Sequence, residues 1–178
     1  MAITAGKAGY GLAAILLCLS LSSCGLAQKV TDGTVAATKS LFYRQVKTLH
    51  LDIRAREAVN LNAAGVPLST VVRIYQLRDR NAFDGAIWPM LFAGDAQVVK
   101  GDIVAQKDIR LQPGGAVMVD MPMDAAAQFV AVAAMFMSPD QTNDTWRIVL
   151  SRDDLDPDAP YFIEAGDNCL SLKPVEAR

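Results

Sequence analysis

The chain has 178 residues with 17 basic and 19 acidic side chains and one histidine, a formal net charge of −2. So even a balance offers no basic face for nucleic acid, and three cysteines are too few for a disulfide framework. The length suits one domain with a sizeable core, and the 52% hydrophobic fraction is inflated by an apolar N-terminus and by alanine.

In chain order, the first 23 residues carry a single charge, Lys7, followed by an apolar run over residues 12–21 that ends in Leu21-Ser22-Ser23-Cys24. A basic start, a short apolar stretch and small residues at the cut describe a secretory signal. The run is shorter than the roughly 20 residues a spanning helix needs, and no second one follows. Leu-Ser-Ser-Cys also resembles the lipobox of bacterial lipoproteins, which implies that Cys24 is acylated and becomes the first residue of the mature chain. Cleavage there leaves 155 residues and, with Lys7 gone, a net charge of −3. The expected organisation is a cleaved signal over 1–23, a lipidated cysteine and tether over 24–42, and one folded domain over 43–178. No cofactor is expected beyond the covalent lipid on Cys24. Cys18 leaves with the signal and Cys24 takes lipid, so Cys169 has no partner and reads as a buried, inert thiol.

Residues 25–40 show neither a period of 2 nor one of 3.6 and read as a flexible tether, with a coil reach of roughly 20 to 25 Å. Residues 46–58 alternate, with Leu49, Leu51, Ile53 and Ala55 against His50, Asp52, Arg54 and Arg56, as a half-buried strand does. Residues 60–67 supply turn chemistry in a loop longer than a tight hairpin requires. The β-branched and aromatic stretch 68–77 is the next strand. Beyond Asp79, a candidate helix cap, Phe83, Ala86, Ile87 and Met90 fall at helical spacing. Pro89 interrupts them, so two short helical turns with a break near Trp88 are expected.

Residues 97–111 read as short strands, Pro113-Gly114-Gly115 as a turn and 116–121 as a further strand. Residues 129–137 are apolar throughout and demand cover on both faces. Val130, Val132, Ala134 and Phe136 can fill a core, while Ala131 and Ala133 leave room for the helical segment to lie close. Residues 146–150 and 167–172 complete an all-β pattern of about seven or eight short strands with one or two short helices added, which argues for a β-sandwich.

Motifs for catalysis are missing: there is no nucleophile elbow, Cys-x-x-Cys, His-Glu-x-x-His or phosphate loop. His50 lies on the polar side of its strand. Asp154, Asp156 and Asp158 mimic the opening of a calcium loop, but Ala159 stands where glycine is needed and Ala165 where the bidentate acid is needed, so no metal site is assigned and a solvated acidic turn explains them. The chain reads as a binding module rather than an enzyme.

Three stretches together resemble the type VI secretion outer-membrane lipoprotein family TssJ (SciN/VasD-like). They are Asn60-Leu61-Asn62-Ala63-Ala64-Gly65-Val66-Pro67 with the following Val71-Val72-Arg73-Ile74-Tyr75-Gln76-Leu77 and Phe83; Asp102 with Leu111-Gln112-Pro113-Gly114; and Trp146-Arg147. The resemblance implies a transthyretin-like β-sandwich, anchored by lipid in the outer membrane and facing the periplasm. It further implies binding to the periplasmic C-terminal domain of TssM, with TssL held indirectly in the same trans-envelope complex. The family's partner-binding first loop maps to Asn60, Leu61, Asn62, Gly65, Val66 and Pro67, with Leu61 and Val66 as the apolar contacts. Arg73 and Tyr75 alternate within a strand and are expected to be structural. Gly25, rather than an aspartate, follows Cys24, in keeping with the outer membrane. The alternative is an outer-membrane lipoprotein that holds a small molecule or glycan among Tyr75, Trp88 and Trp146.

Overall fold

The computed structural model describes residues 46–93 and 96–174. The signal, Cys24 and the tether therefore lie outside the described residues.

Eight strands form two four-stranded sheets. They are β1 (Thr48–Ala55), β2 (Thr70–Leu77), β3 (Ile103–Leu111), β4 (Ala116–Pro122), β5 (Phe129–Ala134), β6 (Arg147–Ser151), β7 (Tyr161–Gly166) and β8 (Cys169–Lys173). The first sheet has the order β4-β1-β7-β8 and the second β3-β2-β5-β6. Every pairing is antiparallel except β1 with β7, where Ile53 sits opposite Ile163. The expected β-sandwich is thus present, with two short helices, α1 (Asn81–Asp84) and α2 (Trp88–Phe92), between β2 and β3.

Alternation dictates what each sheet buries. Leu49, Leu51 and Ile53 of β1 face inward and are at most 1% exposed, as are Val72 and Ile74 of β2 and Val130 and Val132 of β5. Gln76 also points inward. Its Nε2 donates to the Pro122 carbonyl at 2.8 Å and its Oε1 accepts the Asp124 N–H at 2.7 Å, so this buried amide ties the second sheet to the end of β4 with its hydrogen bonds satisfied.

The second sheet's outer face is the covered one. Arg73, Tyr75, Ala131 and Ala133 share it, Arg73 opposite Ala133 and Tyr75 opposite Ala131. The small alanines let the helical segment approach, as their size foretold. Phe83 of α1 meets the Tyr75 ring edge-on at 5.7 Å. Pro89 falls at the second position of α2, where its missing N–H costs nothing, and the break comes over residues 85–87. Asp79 accepts the Asn81 N–H at 2.7 Å, capping α1 from just outside it.

Two sequence assignments change. Residues 97–102 are turn rather than strand, β3 beginning only at Ile103. Cys169 opens β8 half-buried, with Sγ 3.0 Å from the Gly166 carbonyl, instead of fully enclosed.

Candidate partner-binding site

The end of the sandwich reached by β1 gathers the β1–β2 loop, the β3–β4 turn and the β5–β6 loop. The Gly114 N–H donates to the Arg56 carbonyl at 3.2 Å, Ser69 Oγ donates to Gln112 Oε1 at 2.5 Å, and the Met137 N–H donates to Asn60 Oδ1 at 2.7 Å. Within this end the β1–β2 loop builds a small hairpin of its own. Leu61 bridges to Pro67 in antiparallel fashion. The Asn62 N–H donates to the Val66 carbonyl at 3.0 Å and the Gly65 N–H to the Asn62 carbonyl at 2.9 Å.

The two asparagines divide the work of shaping it. Asn62 Oδ1 accepts the N–H groups of Ala64 and Val66 at 2.9 and 3.0 Å, closing the tip from inside. Gly65 has φ of +74° and open space where a Cβ would stand, so its need for glycine is conformational, not steric. Asn60 takes φ of 51°, the left-handed region that asparagine tolerates better than most residues. Only 3% exposed, it donates from Nδ2 to the Ser69 carbonyl at 3.4 Å as well as accepting from Met137.

The structure therefore sorts the six first-loop residues. Gly65, Val66 and Pro67 are exposed, Val66 at 51%, and Leu61 and Asn62 are half-buried. Asn60 is buried, with both side-chain groups spent on backbone, and holds the hairpin's base. Sequence composition missed this distinction because a turn-forming asparagine and a stapling one look alike. It also missed the β5–β6 loop beside the hairpin.

Arg73 and Tyr75 are structural, as expected. The Arg73 guanidinium meets Asp108 through two bonds of 2.8 Å and donates to the Leu91 carbonyl at 2.9 Å. Hydrogen bonding to Asp108 holds its pKa above the ordinary value. Tyr75 also donates to the Leu91 carbonyl, at 2.9 Å, and burial pushes its hydroxyl pKa up. Arg147 is a third clamp: Nη1 donates to the carbonyls of Phe83 and Ala86 at 2.6 and 3.0 Å, and Nη2 to the Asp84 carbonyl at 2.9 Å and to Asp144 at 2.7 Å. It thus satisfies the orphan carbonyls at the end of α1.

The aromatic trio of the glycan reading is engaged in packing and internal hydrogen bonds. Tyr75 and Trp146 are fully buried. Trp146 Nε1 donates to Asp144 at 3.1 Å and Trp88 Nε1 to the Ala134 carbonyl at 3.3 Å, so the polar handles a ligand would use are occupied internally. A hollow of about 470 Å³ does exist, but at Tyr161, Leu172 and Lys173. His50 pairs with Asp120 on the first sheet's open face. Asp156 accepts the Asp158 N–H at 2.8 Å, shaping the acidic turn locally. Among the described residues no group of three or more His, Cys, Asp or Glu side chains is placed to hold a metal ion.

Fold and loop geometry together define a capped β-sandwich module that presents a rigid hairpin at one end. The chain belongs to the type VI secretion lipoprotein family that includes VasD, EvfM and TssJ, whose model matches residues 47–168. Among solved structures, it is 61% identical, at a TM-score of 0.67, to a chain in the structure described as the T6SS protein TssM C-terminal domain (869-1107) from EAEC. A chain of a type VI membrane complex is 62% identical at a TM-score of 0.70. In both cases the match covers 73% of this chain and all of the other. TssJ1 from Pseudomonas aeruginosa shares the fold at 22% identity and a TM-score of 0.63, covering 74% of this chain and 98% of that one. No curated protein matches.

Proposed function

We propose that the chain is a lipid-anchored subunit of the outer membrane that acts without catalysis. In this reading it binds the periplasmic C-terminal domain of TssM through its first loop and supports assembly of the trans-envelope complex that also contains TssL. The observation that carries this is the 61% match, over the full length of the other chain, to a chain solved in a structure described by the TssM C-terminal domain. That chain, spanned in full by 73% of 178 residues, is too short to be the 869–1107 domain itself and fits its companion.

The fold supports the same assignment of ends. The chain enters β1 after residue 46, and β1 runs eight residues to the hairpin end, a rise of about 26 Å. A tether joined before residue 46 would thus load one end of the strand, and the hairpin follows the other. The diacyl and acyl chains expected on Cys24 give durable anchoring where one chain would not, and anchoring raises the hairpin's effective concentration for a partner in the same envelope.

Two variants of the full-length protein test the reading. Val66→Asp places a charge at the exposed tip and should abolish capture of the purified TssM periplasmic domain without lowering stability. Unimpaired capture by this variant refutes the first loop as the contact. Cys24→Ala should leave the outer-membrane fraction, and its retention there would refute the anchor.

A further inference from the structure

The alternation of β5 does not stop at Ala134. The Met135 N–H donates to the Val71 carbonyl at 2.8 Å, continuing the ladder; Phe136 turns in and is fully buried; Met137 turns out again. Met135 and Met137 therefore stand on the same face as Ala131 and Ala133, the face capped by the helices, yet are 42% and 60% exposed. The cap ends just before them, where Trp88 donates to the Ala134 carbonyl.

On one side Ile87 and Met90, 53% and 47% exposed, flank Trp88, which reaches the Ala134 carbonyl. On the other, the Met137 N–H is bonded to Asn60 at the base of the hairpin. Val66, opposite Asn62, stands two strand positions beyond Asn60, or about 7 Å. Five of the eight large apolar side chains that stand exposed among the described residues thus lie in a strip of three elements joined by hydrogen bonds: the helical segment, the end of β5 and the hairpin. The outer face of the first sheet carries one such side chain, Met118 opposite Asp52, among charged pairs. There Arg54 pairs with Asp52, and Arg56 and Lys173 both pair with Glu164.

We propose that the strip is the second half of the docking surface for the TssM periplasmic domain, so that this partner lies along the capped side from the hairpin down to α2. The proposal rests on the reading that the first loop binds that domain. Area favours it: a stable interface takes about 800 Å² and roughly 20 to 30 residues from each partner, which a seven-residue hairpin with two alanines at its tip cannot supply. The strip is continuous with the hairpin and joined to it by the Asn60 staple, so both present to one partner without rearrangement. Methionine suits the role, since its unbranched, polarisable side chain adapts to an irregular apolar surface.

The test is binding of the TssM periplasmic domain to the full chain in detergent, followed by biolayer interferometry. Met135→Gln with Met137→Gln keeps side-chain length and removes apolar character; being exposed, the pair should leave the melting temperature unchanged and raise Kd at least tenfold. Wild-type affinity for the double variant, with binding lost in Val66→Asp, overturns the strip and leaves the first-loop reading standing. Unaltered binding in Val66→Asp as well refutes both. A double variant whose Kd is unchanged but whose mass by light scattering falls from dimer to monomer assigns the strip to a second copy of this chain, and also overturns the proposal.

Discussion

Replacing Asn60 by alanine measures what fixes the hairpin. The substitution removes the acceptor of the Met137 N–H and the donor to the Ser69 carbonyl, at a site only 3% exposed. Leaving a buried backbone N–H without a partner costs about 1 to 3 kcal/mol. The backbone adds to this: φ of 51° suits asparagine, whereas alanine in the left-handed region costs about 1 kcal/mol. The expected loss is about 3 kcal/mol. With a urea dependence of about 1.5 kcal/mol per molar, the unfolding midpoint should fall by about 2 M at unchanged slope. Asn60→Gly removes the same hydrogen bonds but not the conformational freedom, and should recover about 1 kcal/mol of the loss. Native-state hydrogen exchange should show the Met137 amide among those most accelerated. An Asn60→Ala midpoint within about 0.3 M of wild type, or glycine no better than alanine, would refute the staple.

Two further outcomes follow from the clamps behind the cap. Tyr75→Phe should cost about 1 kcal/mol, since the Leu91 carbonyl keeps Arg73 as donor. Burial raises the folded Tyr75 pKa above the unfolded value, so its contribution is fully present below pH about 10 and is lost as the pH rises through the folded pKa; the phenylalanine variant should lose less stability on that alkaline limb in urea titrations across pH 8 to 11. Arg147→Lys replaces a planar fork with a point charge and should cost about 2 kcal/mol. Limited proteolysis should then find residues 81–92 first, and protection equal to wild type would contradict the role of Arg147 in holding α1.

What the sequence disclosed was whatever depends on neighbours along the chain. The alternation of β1 and β2, the break before Pro89 and the two-sided cover of β5 are local patterns, and the small Ala131 and Ala133 announced a close-packed cap. β7 escaped notice: Tyr161–Gly166 is six residues long with Glu164 in the middle, directly after an acidic, proline-containing turn. Its signal was the alternation of Ile163 and Ala165 with Phe162 and Glu164. Its parallel pairing with β1 links residues some 110 apart in the chain, which no local pattern encodes. The site shows the same division. Turn composition located the hairpin, but the burial of Asn60 and its bond to Met137 come from a residue 77 positions away. Likewise Arg147 reaches carbonyls 61 to 64 positions distant.

The placement of β1 also decides how the domain bears tension. In the proposed arrangement, with an anchor before residue 46 and a partner on the hairpin after Ala55, a pull between membrane and partner would run along this one strand. β1 is an inner strand, laddered to β4 on one side and to β7 on the other. Those hydrogen bonds lie across the pull, so the strand can slide only if many rungs yield together rather than unzipping one by one. At the entry Arg152 donates to the Val46 carbonyl at 3.1 Å, and also to those of Asp124 and Ala127, fastening the first residues of the stressed segment to the β4–β5 loop. The second sheet, its cap and β8 make no ladder with the stressed strand and stand outside the line of force. A subunit built this way can be pulled from both ends while most of its chain carries no strain.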